Sequence, residues 1–111
     1  MSCEAALRQY FATFDGSKKN ISEIDQLFDA VTHEEYKLVM DGKTFDRDAA
    51  KDIDAGYLAS GSKVEIVDLR RIDTDRIDVR IRAQNEEKYK DIHVLYTIEE
   101  NKIAKAQVID D

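Results

Sequence analysis

The sequence predicts an α+β domain in which three helices, toward the N-terminal side, pack on one face of a strongly curved, mainly antiparallel sheet. The order is α-α-β-α-β-β-β-β. Three observations carry this. Ile77, Val79, Ile81 and Ala83 alternate with Asp78, Arg80, Arg82 and Gln84, the period-2 pattern of a strand with one dry and one wet face. In the preceding segment the apolar phase slips from Val64 and Ile66 to Val67 and Leu69, which places a β-bulge and a bend near Ile66–Val67. Most of the chain before Ser62 carries apolar residues at helical spacing, material for covering the concave face of a bent sheet.

In chain order, the first helix spans residues 4–14, because Leu7, Tyr10, Phe11 and Phe14 fall at i, i+3, i+4 and i+7 and share one face. Asp15-Gly16-Ser17 stops it, with Gly16 suited to a left-handed residue. The second helix is short, with Ser22 as its cap, Asp25 at the capping-box position and an apolar stripe of Ile24, Leu27, Phe28 and Val31. A strand follows on Tyr36, Leu38 and Met40, ending at the turn signal Asp41-Gly42. Asp46 caps the third helix, on which Ala49, Ile53 and Tyr57 make an i, i+4, i+8 line, and Gly61 marks its exit. The hairpin within Ser62–Asn85 comes next. Asp91–Glu99 then places Ile92, Val94, Tyr96 and Ile98 on one face, and after the turn Glu100-Asn101 the last strand runs Lys102–Ile109.

Composition narrows the function classes. A chain of 111 residues forms one domain, taken here as 1–111. Its net charge of −7 argues against nucleic-acid backbones and anionic membranes as partners, since both require a basic surface. No apolar run approaches the roughly 20 residues of a membrane span. The N-terminus MSCEAALRQY lacks the basic-then-apolar layout of a secretory signal, and Cys3 stands alone, so a reducing, cytoplasmic location is expected.

The helix LRQYFATFDG, the strand-turn YKLVMDGKTF and the closing pair HVLYTIEENKIAKAQVID together resemble the nuclear transport factor 2-like superfamily, the cystatin-like cone fold of ketosteroid isomerases and SnoaL-type polyketide cyclases. The resemblance covers the whole chain and rests on element order more than on fixed motifs. It implies a sheet wrapped around the first helix and a blind pocket lined by Leu7, Phe11, Phe14, Phe28, Leu38, Met40, Tyr57, Val79, Ile81, Val94 and Tyr96.

It also implies catalytic positions. Tyr10 resembles the helix-one tyrosine that the isomerases use as an oxyanion donor; the competing reading is a core aromatic bonded to a backbone carbonyl. Asp41 stands where the isomerases keep their general-base aspartate, although strand alternation turns it away from Tyr36, Leu38 and Met40, and Asp-Gly is also a turn dipeptide. Val94 occupies the place of the family's protonated aspartate and cannot donate a hydrogen bond, a departure from the isomerase pattern; Tyr96 on the same face is the substitute. His33 is expected in the loop before the first strand, at the pocket rim, as an acid/base or as a solvated residue. His93 is expected on the opposite, outer face. Neither has a second ligand at metal-binding spacing, and no metal or cofactor is expected.

Arg70, Arg71, Arg80 and Arg82 interleave with Asp68, Asp73, Asp75 and Asp78, a pattern of cross-strand ion pairs on a wet convex face. By family resemblance that face meets a second subunit, giving a homodimer with Val67, Leu69 and Leu95 as apolar contacts. Two functions stay open: a small-molecule pocket protein (an isomerase, cyclase or dehydratase acting on an apolar carbonyl compound) and a non-catalytic dimerisation or protein-binding module whose pocket its own side chains fill.

Overall fold

A computed structural model describes residues 2–18, 20, 22 and 24–109. Helices α1 (Cys3–Ala12), α2 (Asp25–Val31) and α3 (Arg47–Ala59) accompany strands β1 (Thr32–Met40), β2 (Lys43–Phe45), β3 (Lys63–Asp73), β4 (Arg76–Asn85), β5 (Lys88–Glu99) and β6 (Lys102–Ile109). The strands form one sheet in the order β2-β1-β6-β5-β4-β3, antiparallel except where β1 runs parallel to β6. The α+β class and the mainly antiparallel sheet are as the sequence predicts.

The bulge also falls where the apolar phase slips. Ile66 pairs with Ile81 and Asp68 with Arg80, so Val67 is the extra residue, 61% exposed. Beyond it Leu69 opposes Val79 and packs against the core, which removes Leu69 from the convex face where the sequence placed it. Arg71 likewise leaves that face: opposite Ile77, it bonds Glu4 of α1 at 2.5 Å. Within the expected set Arg70 reaches Asp78 across the strands at 4.0 Å, whereas Arg82 pairs with Asp91 of β5 at 2.8 Å and Asp73 with Arg76 at 2.6 Å, partners outside that set.

Helix boundaries shift for identifiable reasons. Ser2 caps α1, accepting the Ala5 N–H at 3.2 Å. The helix ends at Ala12, two residues earlier than expected, because Phe14 leaves it to pair with the sheet: the Val64 N–H donates to the Phe14 carbonyl at 2.9 Å. Ser22 does not cap α2. Its N–H and hydroxyl both donate to the Asn20 side chain, and Ile24 is the N-cap without a side-chain bond. Asp46 caps α3 as expected, accepting the Ala49 N–H at 2.9 Å.

Two features of the sheet escape the sequence pattern. β1 begins at Thr32 rather than near Tyr36, its register against β6 shifting between Thr32 and Lys37. The short β2 folds back on β1 through a turn at Asp41 (φ 54°) and Gly42 (φ 75°), both in the left-handed region. One cluster of buried side chains joins α1, α2 and α3 to β1, β4, β5 and β6, with Ile24, Leu58, Ile77 and Val79 fully enclosed.

Candidate active site

The helices do not fill the space over the concave face. A cavity of about 340 Å³ remains, walled by Leu7, Tyr10, Phe11 and Phe14 from the N-terminal segment, Phe28 from α2, Tyr36, Leu38 and Met40 from β1, and Ile81, Val94 and Tyr96 from β4 and β5. Tyr57 stands beside it, 44% exposed. The wall is apolar and aromatic because the dry face of a strand and the apolar stripe of α1 meet there.

α3 supplies the one acid of that wall, among the described residues, that is not exposed to solvent. The two buried residues of this helix are Ala50 and Leu58, one residue out of phase with the expected line of Ala49, Ile53 and Tyr57. Asp54, half-buried, stands midway between them at the i+4 position and faces the cavity. Its Oδ2 accepts a hydrogen bond from the Tyr10 hydroxyl. Loss of hydration pushes its carboxyl up to about 6, against the downward pull of that hydrogen bond. No lysine, arginine or histidine among the described residues forms an ion pair with it.

Three phenols surround the carboxylate. Tyr10, Tyr36 and Tyr96 are each at most 8% exposed, and burial raises all three above the usual phenol range. The negative charge of Asp54 adds to the rise in each. All three therefore stay protonated donors at neutral pH. Tyr10 is committed to Asp54. Among the described residues no protein group bonds the Tyr36 or Tyr96 hydroxyl, yet no buried side-chain N or O lacks a partner, so these two hydroxyls open on the cavity. Edge-on and tilted ring contacts hold two of the phenols in place: Tyr10 lies 5.6 Å from Phe14 and 6.1 Å from Phe28, and Phe28 lies 5.7 Å from Tyr36.

The other positions singled out in the sequence fall in several places. Asp41 is exposed at the β1–β2 turn, on the edge of the cavity rather than its floor. Val79 is fully buried between Leu69 and Val94 in the sheet and is not on the cavity wall. His33 is a β1 residue, not a loop residue, and stands off the rim: its Nδ1 accepts the Glu35 N–H at 3.1 Å and its Nε2 lies 3.6 Å from Glu100. His93 does not lie on an open outer face as expected: it meets Asp78 across the sheet with its side chain 13% exposed, and it contributes to the cavity lining.

No protein-family model matches the chain, and no curated protein matches it in sequence. Solved structures do match. A candidate ketosteroid isomerase from Kribbella flavida DSM 17836 superposes with a TM-score of 0.77 at 12% identity, over 98% of this chain and 78% of the other. A candidate SnoaL-like polyketide cyclase from Jannaschia sp. CCS1 gives 0.74 at 10% identity, over 98% of this chain and 85% of the other. The chain has the nuclear transport factor 2-like fold. A de novo designed protein with this fold gives 0.71 at 21% identity, over 100% of this chain and 88% of that one. The nuclear transport factor 2-like fold thus fixes where a cavity forms; the chemistry has to be read from the side chains around it.

Proposed function

We propose that the cavity receives a small, largely apolar carbonyl compound and that Asp54 moves a proton on it. The observation that carries this reading is a carboxylate on an aromatic cavity wall, held by Tyr10, with the Tyr36 and Tyr96 hydroxyls open to the same space. A carboxyl that titrates near 6 is ionised at neutral pH yet basic enough to accept a proton from carbon. Asp54 takes the proton from the carbon next to the carbonyl as that C–H bond breaks. The electron pair forms the enolate, and Tyr36 and Tyr96 donate hydrogen bonds to its oxygen. Asp54 then returns the proton at another carbon, an isomerisation, or to a departing hydroxyl, a dehydration; where the enolate carbon attacks a second carbonyl of the same molecule, that C=O π bond breaks, its oxygen takes the proton from Asp54, and the result is a cyclisation. Asp54 takes the base role that the family resemblance gave to Asp41, and Tyr10 orients it.

The alternative module, with a pocket filled by its own side chains, is disfavoured by the open volume of about 340 Å³. A homodimer through the convex face belongs to the same reading, supported by exposed Val67 and by Leu95 on the outer face of β5. A cytoplasmic location also belongs to it; no helix among the described residues is long and apolar enough to cross a membrane.

Proton–deuteron exchange next to the carbonyl of a panel of apolar cyclic ketones and enones, followed by NMR, tests the reaction. Wild-type protein is expected to accelerate exchange and Asp54→Asn to lose about 10²-fold or more of it. Equal rates in the two proteins, or ketones that bind without exchanging, would overturn the proton-transfer reading.

A further inference from the structure

The surroundings of Asp54 are unusual in charge as well as in chemistry. A carboxylate on an apolar wall ordinarily stands beside a cation or is kept neutral. Here its one hydrogen-bond partner among the described residues is a neutral phenol, and the groups facing it from neighbouring elements are Tyr10 of α1, Tyr36 of β1 and Tyr96 of β5. None of them can cancel a negative charge. Phe11, Phe14 and Phe28 line the same cavity as the phenols, and the other titratable residues of its lining are Asp41, Tyr57, Lys90, Asp91 and His93. Lys51 approaches Phe28, at 5.4 Å, but Asp25 and Asp29 hold its ammonium at 2.7 and 2.8 Å.

A negative charge on the wall of a cavity lined by aromatic rings is complementary to an organic cation. The carboxylate supplies the counter-charge and the rings supply quadrupoles and apolar area. The protein's net charge of −7 draws cations toward it and repels anions. We propose that the cavity is also a binding site for small lipophilic amines in their protonated form, with the ammonium on Asp54 and the hydrocarbon among the aromatic rings. Such amines compete with the carbonyl compound, because a base paired with an ammonium is no longer free to accept a proton. The inference rests on the reading of the cavity as a small-molecule site, but not on the reaction assigned to it.

The probes are 2-phenylethylamine, 2-phenylethanol and phenylacetate, which share an aromatic ring and short chain and differ in charge. Binding to wild-type protein is measured by calorimetry at about pH 8 and about pH 5. At pH 8 the amine is expected to bind at least about tenfold tighter than the alcohol, and phenylacetate weakest. At pH 5, where Asp54 is largely protonated, the amine's advantage should fall by about tenfold within the wild-type protein itself. Asp54→Asn, checked for folding by circular dichroism, should bind amine and alcohol alike at both pH values. An amine no tighter than the alcohol at pH 8, an advantage that persists in Asp54→Asn, or one undiminished at pH 5 overturns the inference while leaving the cavity reading standing. If none of the three probes binds, both readings fall.

Discussion

The Tyr10 hydroxyl donates to Asp54 Oδ2, joining α1 to α3 between residues 44 positions apart in the chain. This contact ties two helices together at the cavity wall and fixes the direction of the carboxylate. It also opposes what desolvation does to Asp54, since a donor to the ionised form favours that form. Tyr10→Phe is therefore expected to move the Asp54 titration to higher pH than about 6, with the core otherwise intact because only the oxygen is lost. Following the Asp54 carboxyl carbon by NMR across pH checks this. A midpoint that stays in place or falls would show that the phenol does not stabilise the carboxylate.

Asp54 makes an unusual contribution to stability against pH. Its folded-state pKa of about 6 lies above the roughly 3.9 of an unfolded aspartate, so the native state holds this proton more tightly. The stability it contributes is present below about pH 4 and is lost as pH rises through about 6. The gap between the folded and unfolded values caps this contribution at roughly 3 kcal/mol. Glu4, Asp29, Asp73 and Asp91 act in the opposite sense, since hydrogen bonds from Arg71, Lys51, Arg76 and Arg82 lower their pKa values, and their contributions fade as pH drops. The quantity to measure is thus the difference between wild type and Asp54→Asn in urea unfolding at several pH values. The variant should gain on the wild type between pH 4 and pH 7, and a flat difference would contradict a desolvated carboxylate.

Most of this architecture was legible in the sequence, and the site much less so. Strand alternation located β4 and β5, the apolar phase slip located the bulge at Val67, and a capping aspartate located the start of α3. β2 escaped because Lys43-Thr44-Phe45 is too short to show any period. Asp54 escaped for a different reason. An acid on a helix is usually solvated, so the line Ala49, Ile53 and Tyr57 looked like the buried face. The signal was present one residue away: Ala50 and Leu58 flank Asp54 at i−4 and i+4. Periodicity could not choose between two adjacent stripes when one of them carried a charge. Asp41 had only its alignment to recommend it, and alternation already turned it outward.

If the enolate oxygen is held by two phenols, removing them should affect the chemical step more than substrate binding. Tyr36→Phe and Tyr96→Phe are each expected to lower the exchange rate by about 10- to 10²-fold at saturating ketone, with KM changed far less, and the double variant to lose more than either. Each ring stays in place, so the aromatic wall keeps its shape. Loss appearing wholly in KM would assign the hydroxyls to ground-state binding instead.

Leu58 tests whether the site depends on how α3 is seated. It is fully buried one turn beyond Asp54, on the same side of the helix. Leu58→Ala is expected to cost about 2–5 kcal/mol, the range for an enclosed leucine whose space does not collapse. If the helix is held by this anchor, the Asp54 titration should also move toward that of a solvated aspartate as water reaches the loosened contact with Tyr10. Unfolding curves give the first quantity and carboxyl titration the second; a large stability loss with an unmoved titration would mean that the Tyr10–Asp54 contact alone positions the acid.

The convex face offers the last test. Val67 is 61% exposed at the bulge, among charged neighbours on β3 and β4. A bulge residue makes no regular ladder pairing, so Val67→Glu should leave monomer stability within about 0.5 kcal/mol. If two copies meet through this face, wild-type protein should sediment at twice 12.7 kDa at micromolar concentration. The glutamate would place a like charge from each copy near a shared two-fold interface and shift the population to monomer. A wild-type monomer at those concentrations would rule out the dimer, and a dimer untouched by Val67→Glu would move its interface away from the bulge.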